Sequence, residues 1–407
     1  MALIPVEEAL RRVITSVAEP VGAERVRIED AVGRTLASDL AALRTQPPFA
    51  ASAMDGYAVQ AADLGIVPAR LTVVGRSVAG RGYSGEIAPG EAVRIFTGAP
   101  IPDGADAIVI QEDTDLGDPE VEVREHPIPG RFIRPAGLDF REGDVLLHAG
   151  ERLDARRLAL AAAMGHPDLP VRRKPRIAIL ATGDELVRPG EPAGPDQIVA
   201  SNPYALRAIV DRAGGEAIDL GIARDTLEDL RRAIGSAREA RADLLITLGG
   251  ASVGEHDLVQ TALTDGGMEL GFWRVALRPG KPLMHGRLGP MLLLGLPGNP
   301  VSSIVCGILF VVPAIRALLG DPHAGEDPTE TGVLGGDLPP NDARQDYMRA
   351  KLERAPDGEL VVTAERRQDS SMLATLAASE ALIVRAPHAL AAKAGERCRI
   401  IRLDRFC

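Results

Sequence analysis

The sequence predicts a multidomain α/β plus β protein. It has a central α/β domain with a mostly parallel sheet, a β-rich module inserted into an N-terminal helical domain, and a small C-terminal β-barrel. Three observations predict this. From Arg176 to Leu319, apolar strand-like runs alternate with helical patterns at βα spacing, which implies parallel strands covered on both faces. From about Thr45 to Val145 the texture is short β-type runs separated by Gly, Pro and Asp clusters, bracketed by two helical segments. Beyond an acidic, Pro- and Gly-containing stretch at 320–330, four further strand-like runs close the chain.

Each element follows from its local pattern. Val6, Leu10, Val13, Ile14 and Val17 recur at helical spacing, and that first helix ends near Pro20. Leu71–Val74, Val93–Phe96, Ala107–Ile110 and Val121–Val123 are the strands of the β module. A second helix, capped by Asp154 and stopped by Gly165, returns the chain to the helical domain. Pro167–Pro175, rich in Pro and basic residues, is expected to be a linker. Strands at Arg176–Leu180, Ala217–Ile222, Leu244–Leu248, Phe272–Ala276 and Met291–Leu294 then alternate with helices at Asn202–Ala213, Leu227–Ala240, from Leu258, and from Pro300 to Leu319. Tyr347–Leu352, Leu360–Val362, Ala381–Val384 and Cys398–Leu403 form the terminal β domain. The expected domains are therefore 1–44 with 146–170, 45–145, 171–322 and 323–407. A chain of 407 residues, at about 150 residues per domain, accommodates them.

Forty-six basic against fifty-seven acidic residues give a net charge of −11, which argues against a broad nucleic-acid or anionic-membrane surface. Any anionic ligand must be held by a local cluster of cations. Aromatics are only 3% of the chain, too few for base-stacking platforms. Cys306, Cys398 and Cys407 are far apart and lack metal-ligand spacing, which points to a reducing, cytoplasmic compartment. Glu7 and Glu8 interrupt any secretory h-region, and the apolar stretch Ile304–Ile315 is too short to span a bilayer.

Ligands of an open α/β sheet bind at the carboxyl ends of its strands. Four loops there carry unusual residues: Thr182–Glu185, Ala223–Asp225, Gly249–Asp257 and Leu296–Ser302. The third offers Gly249, Gly250 and Gly254 for close approach to a phosphate, the Ser252 hydroxyl as a donor, and Asp257 as a ligand for a divalent cation; a glycine-rich connection capped by Asp257 explains it as well. Glu185, Asp225 and Asp257 on neighbouring loops would repel one another unless paired with a metal or a basic group. Arg274, Arg278 and Lys281 place three cations within eight residues, which suits an oxyanion or a solvated basic turn. The Gly249-Gly250 loop lacks the G-x-G-x-x-G spacing of a dinucleotide site, and the chain has no Walker-type loop.

Seven motifs taken together resemble the molybdopterin molybdenumtransferase (MoeA) family, related to the gephyrin E domain and its plant counterpart. They are Ser-Ala-Met-Asp-Gly-Tyr-Ala at 52–58, Thr-Gly-Ala-Pro at 97–100, Gly-Ala-Asp-Ala at 104–107, Thr-Gly-Asp-Glu-Leu at 182–186, Gly-Gly-x-Ser-x-Gly-x-x-Asp at 249–257, Pro-Gly-Lys-Pro at 279–282 and Leu-Pro-Gly-Asn-Pro-Val-Ser at 296–302. The resemblance implies an elongated homodimer with four domains per subunit and an active site shared between subunits. It implies that adenylyl-molybdopterin and molybdate react, with Mg²⁺ assisting, to give molybdenum cofactor and AMP. Glu185, Asp225 and Asp257 then match the family's important acids and metal ligands, while Asp55 and Thr97 match active-site positions presented by the other subunit. Lys281, Pro282 and Ser302, with Arg349 and Ser370, match the molybdate site. Gly249, Gly250, Ser252 and Gly254, the cations Arg274 and Arg278, and the loop residues Pro297, Gly298, Asn299 and Pro300 match the cofactor-binding positions.

The chain departs from the family at Ala50 and Ala51, where many members have an acid or Asn, and at Arg274 and Arg278, where Lys is frequent. Implied partners are a second copy, molybdopterin adenylyltransferase, and recipient molybdoenzymes or their chaperones, with no nucleic acid and no membrane. A non-catalytic dimeric scaffold like the gephyrin E domain, or molybdopterin adenylyltransferase activity, are the alternatives. The absence of an extra N-terminal domain and the intact acidic motifs favour the insertase over the first, and the flanking β domains favour it over the second.

Overall fold

A computed structural model describes residues 3–249, 258–356 and 358–407. Its centre is a six-stranded sheet in the order Glu216–Ala223, Arg176–Thr182, Leu244–Leu248, Met291–Leu296, Pro282–Leu288, Glu269–Arg274. The first four strands run parallel, and Pro282–Leu288 runs antiparallel to both of its neighbours, so that Glu269–Arg274 again points along the first four. Ile177 pairs with Leu244 and Leu244 with Leu292, so aliphatic residues align across the sheet. Such uninterrupted apolar strands require cover on both faces. One face packs under the helices Asn202–Ala213 and Pro300–Leu318, and the other under Leu227–Glu239 and Leu258–Asp265.

Strand Pro282–Leu288 was not predicted from the sequence. Its polar lead-in and the His285-Gly286 pair break the apolar run and hide a strand that forms a hairpin with Met291–Leu296. The helix Pro300–Leu318 widens into a π-helical turn at Gly307–Val311 just ahead of Pro313, whose ring and missing N–H disfavour a regular α-helical turn there. By length and composition this helix is apolar enough to cross a bilayer, yet 83% of its most apolar window is buried in the protein, with Phe310 fully enclosed. It is the core helix of the α/β unit.

The first helix, Val6–Thr15, does not share a core with the second, Ala155–Ala163. Its buried stripe of Val6, Ala9 and Val13 lies against the α/β core instead. Just ahead of it, Ile4 N donates to Arg274 O at 3.2 Å and Ile4 O accepts from Ala276 N at 2.8 Å, stitching the chain start to the sheet's last strand. The expected linker 167–175 is also different. Asp168–Arg172 is a strand antiparallel to Ala23–Arg27, with Leu169 and Val171 fully buried. Pro170 and Arg172 alternate with these two residues and disguise a half-buried strand as a basic linker.

The β module contains a five-stranded sheet in the order Ala107–Ile110, Gly56–Val59, Glu91–Ile95, Ala69–Ser77, Glu120–Val123. Gly56 in its second strand has no room for a side chain, because a Cβ there would lie 1.9 Å from the carbonyl oxygen of Val109. Backbone cannot yield as a side chain does, so Gly56→Ala is expected to cost about 3 kcal/mol. Urea unfolding of the variant checks this.

The C-terminal strands run Gln345–Arg354, Leu360–Ala364, Glu330–Leu334, Arg397–Arg402, Ala381–Arg385, and the last pairs back onto Gln345–Arg354 to close a small barrel. Leu277–Arg278 of the α/β unit joins Gln345–Asp346 in parallel and couples the two units. Strand Glu330–Leu334 and the short helix Leu373–Ala377 are additions to the expected elements.

Candidate active site

At the carboxyl edge of the parallel strands lies a cleft of about 770 Å³. Its walls come from Thr182, Gly183 and Glu185 after the first strand of the unit, Asp225 after the second, Leu248 and Gly249 after the third, and Pro297–Pro300 after the last parallel strand. Pro282 completes one side and Ser371 of the C-terminal unit reaches in from another. Three of the four loops selected from the sequence thus meet here within the described residues. The greater part of the remaining loop, with Gly250, Ser252, Gly254 and Asp257, lies outside the described residues.

Local geometry explains the residue choices. Gly183 has φ +146°, and a Cβ on it would approach Glu185 Oε2 to 2.2 Å, so glycine leaves the space that this carboxylate occupies. The backbone N–H of Asp225 donates to Asp184 Oδ1 at 3.3 Å, which ties the two acidic loops together. Burial, then the charges of Asp184 and Glu185, push the Asp225 carboxyl above its ordinary range. Among the described residues lining the cleft, Glu185 and Asp225 are the acids, and Lys and Arg are absent. No cluster of three metal-ligating side chains forms among the described residues.

The Leu296–Ser302 loop is pinned from both sides. Asn202 Nδ2 donates to Gly298 O at 2.7 Å and to Ser303 Oγ at 3.2 Å, while Ser303 Oγ donates to Pro297 O. Ser370 of the C-terminal unit accepts from the loop twice, at its Oγ from Asn299 Nδ2 at 2.8 Å and at its carbonyl from Val301 N at 3.1 Å. Ser370 therefore clasps the cleft loop, and Ser302 is buried in the first turn of the helix behind it. Asn202 and Ser303 were missed as site residues. The sequence places Asn202 only at the start of a helix, and an Asn beside Pro203 at the mouth of the sheet was the available signal.

Other expected residues lie outside the lining of this cleft. Arg349 is 1% exposed, and its bonds go to Gln368 Oε1 at 3.3 Å, Met372 O at 3.1 Å and Arg367 O at 3.2 Å. It braces the segment that carries Ser370, and burial holds its pKa below the usual arginine value. Arg278 pairs with Asp346 and, at 3.3 Å, with Asp342, so it serves the junction with the barrel. The Arg274 side chain is half-buried at the end of its strand, while Lys281 is exposed next to Pro282 of the cleft. Asp55 and Thr97 form a unit in the β module: Asp55 Oδ1 accepts from Thr97 N at 2.7 Å and Thr97 Oγ1 at 2.8 Å, and these bonds hold its carboxyl below the usual range. Neither residue lines the cleft of its own chain.

Three family models match in chain order: the MoeA N-terminal region (domain I and II) over residues 4–165, a probable molybdopterin binding domain over 178–317, and the MoeA C-terminal region (domain IV) over 331–403. A curated relative from Haemophilus influenzae, "Molybdopterin molybdenumtransferase", is 34% identical over 94% of each chain. The chain belongs to the MoeA family. A second relative of the same name, from Nostoc sp., is 39% identical over 81% of this chain and 77% of its own. The solved MoeA protein of Pyrococcus horikoshii superposes with a TM-score of 0.83 at 31% identity, covering 98% of this chain and 99% of that one. In MoeA terms, the cleft lies in the segment matched by the molybdopterin-binding model and Ser370 in that matched by the domain IV model.

Proposed function

We propose that this chain is a molybdenum insertase: adenylyl-molybdopterin and molybdate enter the cleft, and Mo-molybdopterin and AMP leave it, with Mg²⁺ assisting. The observation that carries this reading is the juxtaposition of Glu185 and Asp225 with the Pro297–Pro300 loop and its Ser370 clasp, in a cleft lined by acids. An anionic pyrophosphate does not sit between two carboxylates unless a cation bridges them. The donor set suits Mg²⁺, which binds through one or two carboxylates plus substrate phosphates. Burial raises the Asp225 carboxyl, and the charges of Asp184 and Glu185 add to it, which a bound cation would relieve. Glu185 and Asp225 would hold the ion, with Asp257 as the third expected ligand. When bound, Mg²⁺ supplies charge neutralisation at the pyrophosphate.

The chain's own residues do the rest by positioning. The rigid Leu296–Ser302 loop, fixed by Asn202 and Ser370, orients the ligand against the strand ends. Lys281 beside Pro282 provides cationic charge for molybdate, Ser302 and Ser370 provide hydroxyls, and Arg349 acts through Ser370 by holding its segment. Molybdate-dependent release of AMP from adenylyl-molybdopterin and Mg²⁺ tests the function. Equal release without molybdate overturns insertion, and would favour hydrolysis of the adenylyl group alone.

Asp55 and Thr97 find no place in the cleft of their own chain, which supports a homodimer in which each subunit lends this pair to its partner's cleft. Mixing inactive Asp55→Asn with inactive Asp225→Asn is then expected to restore about a quarter of wild-type turnover, because half the dimers are mixed and one of their two sites is intact. No restoration on subunit exchange counts against sharing. The remaining proposals are a cytoplasmic location and hand-over from an adenylyltransferase to recipient molybdoenzymes or their chaperones.

A further inference from the structure

Away from the cleft, the N-terminal unit, the α/β unit and the C-terminal tail meet around a second cavity of about 300 Å³. Arg152, Arg212, Arg316 and Arg405 line it, with Asp321 the one acid among the lining residues and Thr35 on its wall. Four guanidinium groups around one cavity are unexpected on a chain of net charge −11. Two of them are neutralised locally. Arg316 Nε donates to Asp321 Oδ2 at 2.6 Å, and Arg405 Nη2 donates to Glu330 Oε2 at 2.7 Å.

Arg152 and Arg212 are different. Arg152 donates to Gly33 O at 3.1 Å and to Arg212 O at 2.9 Å, and Arg212 donates to Arg405 O at 3.2 Å and to Asp404 O. These carbonyls fix the two guanidinium groups in place without cancelling their charge. Among the described residues neither forms an ion pair with a carboxylate. Burial at the cavity wall, followed by the charges of Arg212 and Arg316, lowers the Arg152 pKa, and the Asp321 carboxylate opposes this without pairing with Arg152. Arg212 lies in the last turn of its helix, which offsets about half a charge. The remainder is close to the charge of a divalent oxyanion, and guanidinium forks match the oxygen geometry of phosphate.

We propose that this cavity binds a phosphate-class dianion between Arg152 and Arg212, with Arg316 and Arg405 at its margin, and that the anion ties the three units of the chain together. The site is separate from the cleft and does not depend on the insertase reading.

Calorimetric titration of the full-length protein with inorganic phosphate, at ionic strength held constant with chloride, tests the proposal. Saturable binding and a phosphate-dependent rise in Tm are expected. The Arg152→Gln/Arg212→Gln variant is expected to weaken binding about tenfold and to lose the rise in Tm, whereas Lys281→Ala, beside the cleft, retains both. If the double variant does not fold, Arg152→Gln alone is expected to show the weakening. Wild-type protein that responds to phosphate no more than to chloride overturns the site. So does binding that survives in the arginine variants but fails in Lys281→Ala, which would move the anion to the cleft. AMP titrated alongside identifies the source of the phosphate. Tighter binding than the inorganic ion, lost in the same arginine variants, supports a nucleotide phosphate, while weaker or equal binding lost in those variants supports the free ion.

Discussion

Asp225→Asn is expected to lower molybdate-dependent AMP release by about 100-fold, ~2.7 kcal/mol of transition-state stabilisation, while leaving the protein as stable as before or more so. The two effects have one cause. Burial and the neighbouring Asp184 and Glu185 raise the Asp225 carboxyl in the folded chain above its unfolded value. Between those two values the folded state binds more protons than the unfolded state, so stability falls as pH rises through that window. At neutral pH the ionised carboxylate therefore opposes folding, and the amide relieves it. A residue kept at a cost to stability is a residue kept for function. Thermal unfolding with and without Mg²⁺ separates the contributions. The wild type is expected to gain Tm on adding Mg²⁺, and Asp225→Asn to gain much less. A variant that loses stability but keeps its Mg²⁺ response would remove Asp225 from the cation site.

The acidic half of this site was legible because strand ends and loops are written locally. An aliphatic run that stops at Thr182, Ala223 or Leu248 and gives way to Gly and acids marks the carboxyl edge of a parallel sheet. Where a partner comes from another part of the chain, local reading has no access to it. Nothing near Asn202 in sequence announces that its amide reaches Gly298, ninety-six residues away. The strand Asp168–Arg172 is hidden for the same reason, since its partner Ala23–Arg27 lies on the far side of the whole β module. The first helix shows the limit of pattern reading from the other direction. Its apolar stripe was correctly recognised, but a stripe does not say which core it joins, and Val6, Ala9 and Val13 join that of the α/β unit. Arg349 and Arg278 were selected for their charge, whereas the surrounding carbonyls and carboxylates decide what that charge does.

Arg349→Met is expected to destabilise the C-terminal unit by about 2–4 kcal/mol, because it leaves the part-buried carbonyls Met372 O and Arg367 O without their donor, while Gln368 Oε1 keeps only the backbone N–H of residue 349 at 2.9 Å. Chemical denaturation followed by a probe in the barrel measures this. The informative comparison is Arg349→Lys. A direct ligand of molybdate acts through charge, and Lys preserves charge. A brace acts through the forked geometry of its donors, which one ammonium group cannot reproduce when the acceptors lie on Arg367 and Met372, at opposite ends of the segment that contains Ser370. Arg349→Lys is therefore expected to lose turnover with only a modest change in molybdate KM, and Ser370→Ala to reproduce part of that loss without the instability. If Arg349→Lys keeps its turnover while the molybdate KM rises in Arg349→Met alone, the guanidinium touches the oxyanion, and the bracing role is secondary. The distinction follows from where the donors are spent. A guanidinium that is 1% exposed, with its bonds committed to the 367–372 segment, influences the cleft through the position of Ser370.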